Sequence, residues 1–405
     1  MARPSAARGT WIKWMPLIFI AILLAAEANA TTYTVSGNFY DFLLNFNSIN
    51  EAMSNADEGD RILVKSGIYF ESLNITKKLT LVGVDAGKGM PVIDAENTGS
   101  AITISADGVR LEGFNITDSG SSRFDDSGIR VLSNNNYIKG NTISNSSVGI
   151  YVGSFSGNTI TGNTARYDDV GIFLDGTFNS TLRDNALSNN RLFGICIDRA
   201  VKNVLYRNTA WRNKYCAVFM NNSDQNTLSD NVDTESDYYS ILLSNSSRNI
   251  VRGSNISSTY FSAIGLEYSE DNVISDCNIS KSYDGIYLGK SSNGNTLVRN
   301  ILHNNPCGLY IEDSSRIKVY LNSFIDNDES VHLDNCTLSH WNSTAPLAYQ
   351  YRGSAFLSYL GNFWSDYSKS GNYDGGVGKV PYNAEGLTDR HPLAAPAENF
   401  HAEEC

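Results

Sequence analysis

From Asn136 to Leu333 the chain repeats itself nine times, at a period of 22 or 23 residues. The triplets Asn136-Tyr137-Ile138, Asn158-Thr159-Ile160, Ser180-Thr181-Leu182 and Asn203-Val204-Leu205 open the first four units, and Asn226, Asn249, Asn272, Asn295 and Ile317 open the rest. Five residues on, a second polar slot recurs as Asn141, Asn163, Asn185, Asn208, Asn231, Ser254, Cys277, Asn300 and Asn322. Later in each unit a small residue precedes a short apolar run, from Gly149-Ile150, Gly171-Ile172 and Gly194-Ile195 to Gly308-Leu309 and Ser330-Val331. Three registers that stay in phase over nine units are the signature of a solenoid.

The unit decides which solenoid. Apolar residues alternate at period two, as in Ile150 and Val152 or Leu309 and Ile311, which is a strand pattern. No unit carries a helical stripe, and Asn, Ser, Asp and Gly punctuate every few residues. The fold class is therefore all-β, a right-handed parallel β-helix solenoid, right being the usual hand of parallel crossovers. Laps stack at the strand spacing, so nine of them make a rod of roughly 40 Å. The polar rows have a structural task. Stacked Asn side chains can hydrogen-bond along the rod, and Asn141, Asn163, Asn185, Asn208, Asn231, Asn300 and Asn322 form the ladder. The glycine before the apolar strand reads as a corner residue.

Residues 1–30 read as a secretory signal peptide: Arg3, Arg8 and Lys13, an apolar run from Met15 to Ala26, then Ala28-Asn29-Ala30 as a cleavage site. Nothing later is apolar enough to cross a bilayer, so the product is expected in the periplasm, at the cell surface or secreted. The net charge of −12 becomes −14 once the leader's three cations and one anion are gone. That balance disfavours nucleic acid and anionic membranes. Six cysteines invite disulfides, but no two in the repeats share a position on adjacent laps, so they are read as buried free thiols.

Residues 31–60 are read as an N-terminal cap. Within it Ser48-Ile49-Asn50-Glu51 has capping-box spacing, and Ile49, Ala52, Met53 and Ala56 follow at helical spacing. A solenoid's first lap exposes an apolar end that such a short capping helix covers. The β-helix is read over 61–345, with Ser119 to Ser127 as a polar loop. Residues 346–405 are read as a C-terminal coiled cap with Phe356 to Leu360 as one more strand, ending in a frayed polar tail from Ala394.

The opening (Ser48-Ile49-Asn50-Glu51-Ala52, Gly59-Asp60-Arg61-Ile62-Leu63-Val64, Gly67-Ile68-Tyr69-Phe70-Glu71, Leu79-Thr80-Leu81-Val82-Gly83) resembles the start of NosD-type right-handed β-helix proteins. The ending, Gly361-Asn362-Phe363-Trp364-Ser365-Asp366-Tyr367 with Pro381-Tyr382 and His391-Pro392-Leu393, resembles theirs too. The resemblance implies a parallel β-helix over nearly the whole mature chain. It also implies two kinds of function: support of copper-site maturation in nitrous oxide reductase, or carbohydrate binding and sugar hydrolysis at the cell surface. Members often carry an acidic Asp-Gly-Asp-Gly run near the end, whereas Tyr373-Asp374-Gly375-Gly376 here has a single acid.

If Ile150 and Val152 point inward, Tyr151 points out, and one outward column runs Tyr151, Phe173, Cys196, Phe219, Leu242, Gly265, Tyr287, Tyr310 and His332. A second runs Gly153, Asp175, Asp198, Asn221, Ser244, Glu267, Gly289, Glu312 and Asp334. Sugar rings stack on aromatics and hydrogen-bond to carboxylates, so a polysaccharide or cell-envelope glycan is the expected partner. Aromatics also pack against one another on exposed sheet faces with no ligand at all. Asp175 with Asp198, and Glu312 with Asp334, fall one lap apart, near the ~5 Å of a retaining glycosidase pair, but every same-register pair has that spacing. Such a pair could equally hold Ca²⁺; otherwise no cofactor is expected. The histidines lack metal-ligand spacing, and catalytic residues are not readable. The sequence thus points to a non-catalytic polysaccharide-binding β-helix, with a polysaccharide lyase or glycoside hydrolase, or a copper-maturation accessory protein, as the alternatives.

Overall fold

The computed structural model describes residues 30–36, 46–122, 124–337, 339–367, 372–384 and 386–402. The leader read in residues 1–30 lies outside them but for Ala30, as does Cys405. Each lap contributes three short strands, for example Tyr137–Lys139, Thr142–Ser144 and Val148–Val152. Stacked laps build three parallel sheets of 13, 13 and 12 strands. The pairing keeps the sequence register: Ile138 faces Ile160, Ile143 faces Ala165, and Ile150 faces Ile172. The result is a right-handed parallel β-helix, roughly 60 Å long at the lap spacing. Inward rows such as Ile138, Ile160, Leu182, Leu205 and Leu228 are fully buried and form one continuous core.

The Asn ladder is tied to the backbone as well as to itself. The Asn208 Oδ1 accepts both the backbone N–H (3.2 Å) and the Nδ2 (2.9 Å) of Asn185. The Asn208 Nδ2 in turn donates to Asn231 Oδ1 (3.1 Å) and to the Leu182 carbonyl (3.0 Å). Cys277 fills one rung, its N–H donating to Asn300 Oδ1 at 3.1 Å and its thiol to the Ser275 carbonyl at 3.3 Å. Replacing Asn208 by leucine leaves Asn185 without its acceptor and Leu182 without its donor. It should cost about 1–3 kcal/mol, measured as a lower thermal midpoint; an unchanged midpoint would show the ladder to be dispensable.

Two sequence expectations are corrected here. The glycines read as corners lie inside the third-sheet strands, as Gly171 does in Val170–Asp175, and are points of close approach: a Cβ on Gly171 would lie 2.6 Å from the carbonyl oxygen of Gly194. The corners are left-handed residues that carry side chains, such as Asp184 (φ 56°), Arg207 (φ 51°) and Asp230 (φ 53°). Such φ values are uncommon. They are held because each N–H donates to a carbonyl one lap on, at 3.1, 3.1 and 3.0 Å. The tail is the second correction. Ala397–Asn399 forms a 3₁₀ turn and His401–Ala402 pairs with Leu347–Tyr351. Phe400 is buried there against Tyr351, with ring centroids 4.6 Å apart.

Both ends are closed. The helix Ile49–Asn55 buries Ile49, Ala52 and Met53. Ser48 caps it, its Oγ accepting the Glu51 N–H at 3.3 Å, but the carboxylate that completes the cap is Glu71, which accepts from the N–H groups of Ile49 (2.9 Å) and Asn50 (3.0 Å). At the other end the stacking passes residue 345. Phe363–Trp364 pairs with Ser323–Ile325, and Asn362 Oδ1 takes both donors of Asn322 at 3.1 and 3.0 Å. Ser354–Ser358 is a strand, but antiparallel and paired with Leu347–Tyr351, outside the solenoid sheets.

Candidate functional site

The outward columns exist as read. On the third sheet Tyr151 lies beside Phe173, Phe173 beside Cys196, Cys196 beside Phe219, Tyr287 beside Tyr310 and Tyr310 beside His332. Asp175 lies beside Asp198, and Glu312 beside Asp334. The columns are more covered than an open face. A third outward position, held by Val148, Val170, Phe193, Cys216 and Tyr239, packs against the aromatic column and forms small apolar clusters outside the solenoid. Phe193 and Phe219 stack at 4.9 Å, and Phe124, from the loop read at 119–127, meets Phe173 edge-on at 5.6 Å. Tyr151, Phe173, Phe219 and Tyr310 are half-buried, Tyr287 is buried, and His332 is exposed.

Four of the column's five carboxylates are engaged. Tyr151 donates its hydroxyl to Asp175 at 3.0 Å, and burial, then this bond, push its pKa up to about 12. The Arg199 guanidinium bridges Asp175 and Asp198, its Nε standing 3.0 Å from the Asp198 carboxylate. The pair that the sequence offers to a glycosidase or to calcium thus encloses a guanidinium. Glu267 pairs with Lys290 at 2.9 Å. Glu312 accepts the Tyr287 hydroxyl at 2.6 Å, and burial, then Glu312, hold that phenol well above its usual range. Tyr287, Tyr310 and His332 form a continuous ring contact, at 5.4 and 4.9 Å. His332 Nδ1 lies 3.1 Å from Glu329. What this face offers is ring edges and polarised hydroxyls along the rod, beside carboxylates of which Asp175, Asp198 and Glu267 are ion-paired and Glu312 holds a phenol, while Asp334 is exposed without a side-chain partner among the described residues.

One exposed row was not read from the sequence. The residue just ahead of the third outward position is Tyr215, Tyr238, Phe261 and Tyr283 on four successive laps. Its signal lies at the same period, two places before the small residue of each unit, in the turn rather than in the alternating strand pattern.

Geometry and fold together define a right-handed parallel β-helix with an aromatic and charged stripe along one outer face. The chain belongs to the NosD family, described as periplasmic copper-binding protein, whose pattern matches residues 93–235 and 230–369. No curated protein matches the sequence. Solved structures share the fold at low identity. The A-module of mannuronan C-5 epimerase AlgE6 from Azotobacter vinelandii is 12% identical, with 72% of this chain and 92% of that one covered and a TM-score of 0.57. The Dettilon tailspike protein is 14% identical, with 78% and 72% covered and a TM-score of 0.60. The GH136 lacto-N-biosidase from Eubacterium ramulus is 10% identical, with 76% and 67% covered and a TM-score of 0.53.

Copper, named in the family description, takes thiolate, thioether and imidazole donors converging on one point. Among the described residues no three His, Cys, Asp or Glu side chains gather in that way. Burial pushes the thiols of Cys277 and Cys307 up to about 12, and that of Cys216 well above the usual range, so the ligating thiolate is disfavoured. These residues do not fit a copper centre. No described helix is long and apolar enough to cross a membrane.

Proposed function

We propose that this protein is an exported, non-catalytic β-helix that binds a polysaccharide along the outer face of its third sheet. The observation that carries the reading is the outward column, whose rings fall in register at Tyr151 and Phe173 and again at Tyr287, Tyr310 and His332, with Asp175, Asp198, Glu267 and Glu312 beside it already held by Arg199, Lys290 and Tyr287. A hydrolase needs one carboxyl free to give a proton and another free to attack or to activate water. A binding face needs only fixed rings and oriented polar groups, which this column has. That the fold is shared with proteins named for action on glycans supports a glycan as partner.

The test is a panel of polysaccharides scored at once for retention of the protein and for release of reducing ends or unsaturated sugars. Retention without release is expected. Changing Tyr310 and His332 together to alanine removes two accessible rings at ~1 kcal/mol each and should weaken retention about tenfold or more, with the thermal midpoint nearly unchanged. Product release that disappears in Glu312→Gln would replace binding by catalysis.

A further inference from the structure

The backbone ladder stacks the turn that leads into the third sheet as tightly as it stacks the strands. Tyr215 N–H donates to the Leu192 carbonyl at 2.9 Å and Tyr238 N–H to that of Tyr215 at 3.3 Å. Asp284 N–H donates to Phe261 at 3.1 Å and Cys307 N–H to Tyr283 at 2.9 Å. One turn position therefore reads Ser147, Asp169, Leu192, Tyr215, Tyr238, Phe261, Tyr283, Pro306 and Asp328 along the rod. Aromatic residues occupy it on four consecutive laps and on none of the others named. A packing device required by the solenoid would recur on every lap.

These rings face water. Tyr215, Tyr238, Phe261 and Tyr283 are 39, 51, 38 and 59% exposed, and Tyr260 beside them is 83% exposed. They are also ordered against one another. Tyr215 and Tyr238 stack at 5.0 Å and 27°, and Phe261 and Tyr283 lie parallel within 2° at 6.5 Å. Beside Tyr283, at one flank of the row, runs a groove of about 730 Å³ lined among others by Arg212, Lys214, Asp237, Tyr260, Lys281 and Tyr283; Tyr215, Tyr238 and Phe261 stand outside its lining. Arg212 is committed to Glu235 at 2.6 Å. No ion pair involving Lys214 or Lys281 occurs among the described residues. Lys214 directly precedes Tyr215 and Lys281 lies two residues before Tyr283, so one such cation stands on the lap at each end of the row, three laps or roughly 14 Å apart along the rod axis. In a chain of net charge −12 two cations framing a row of exposed rings select a ligand with both ring faces and negative charge.

We propose that this turn binds an acidic, uronate-bearing glycan lying along the rod axis, with its sugar faces on Tyr215, Tyr238, Phe261 and Tyr283 and its carboxylates on Lys214 and Lys281. The inference rests on the glycan reading above but places the contact on the turn and names the ligand's charge.

The experiment compares polygalacturonate and polymannuronate with their methyl esters, which keep the rings and lose the charge, using the whole protein in affinity electrophoresis. At least one acid form should bind about tenfold tighter than its ester. Lys214→Gln with Lys281→Gln should remove that preference, and Tyr238→Ala with Tyr283→Ala should weaken both forms about tenfold, with thermal midpoints as the check on folding. Equal binding of acid and ester, or binding lost only with the Tyr310 and His332 changes, would overturn the turn site and leave the third-sheet face standing. Retention of no glycan, neutral or acidic, sinks both readings. A dimer by light scattering that the tyrosine changes dissolve would instead assign the row to a second copy of the chain.

Discussion

Replacing Asp233 by valine should stabilise the β-helix at pH 8 by about 4 kcal/mol. Asp233 occupies an inward position of the second sheet, where the laps before and after place Ala210 and Ile256. It is 4% exposed. Oδ1 accepts the Ser236 hydroxyl at 3.3 Å, while Oδ2 has no partner. Burial, opposed by the hydroxyls of Ser240 and Ser236, raises its pKa from 3.8 to about 7. A carboxyl whose folded-state pKa exceeds its unfolded value holds a proton in the native chain that the unfolded chain has released. Stability therefore falls as pH rises from about 4 to about 7, and the loss is complete above that. Valine, of similar volume, has no such cost, so the gain should be largest at pH 8 and shrink as pH falls toward 4. Thermal or denaturant unfolding of both proteins at pH 8, 6 and 4.5 measures it. Equal stabilities with equal pH slopes would mean that Asp233 reaches water.

Asp389→Ala should be the most damaging single change at the far end, costing on the order of 3–6 kcal/mol. The Asp389 carboxylate accepts the Asn362 N–H (2.7 Å), the Trp364 Nε1 (3.0 Å) and the His391 N–H (2.9 Å), all drawn to one buried point. Trp364, on the last strand of the second sheet, is fully buried and stacked between Phe324 at 4.5 Å and Tyr382 at 4.4 Å. With the carboxylate gone, three donors lose their acceptor and the closing lap loses the pin that joins it to the cap. Gly361 reports the same crowding, since a Cβ there would lie 2.0 Å from Asp389 Oδ1. The expected readout is a lower thermal midpoint together with faster proteolysis within residues 346–402. A midpoint within a degree of the parent would show that the cap is held without Asp389.

The two aspartates mark where reading the chain alone stops. Asp233 sits at the repeat position of Leu187 and Ala210, so its inward direction was legible from the register. What it meets there was not: Ser236, three residues on, supplies a hydrogen bond, and only the stacking of Ala210 and Ile256 on either side seals Oδ2 away from water without a partner. The outward columns were legible for the same reason as the core rows: a period of two along the strand sets the face, and a period of 22 or 23 sets the neighbour. Their openness was not legible. It depends on Phe193, Tyr239 and the Phe124 loop folding over the strand, and on Arg199 turning back to Asp175 and Asp198.

By itself the sequence determined the solenoid, its sheet register, the inward rows, the Asn ladder and the helix that covers the first lap, because each follows from spacing along the chain and stacking merely repeats it. The tertiary structure decided the ends and the surface. Glu71 rather than Glu51 completes the helix cap. Asn362 and Trp364 join a ladder and a sheet that the repeat had left 40 residues earlier. Asp389 is drawn from 25 residues further on to the Trp364 ring nitrogen. These contacts are made by single residues at irregular separations, where no period carries the information, and the geometry of burial alone selects the partner.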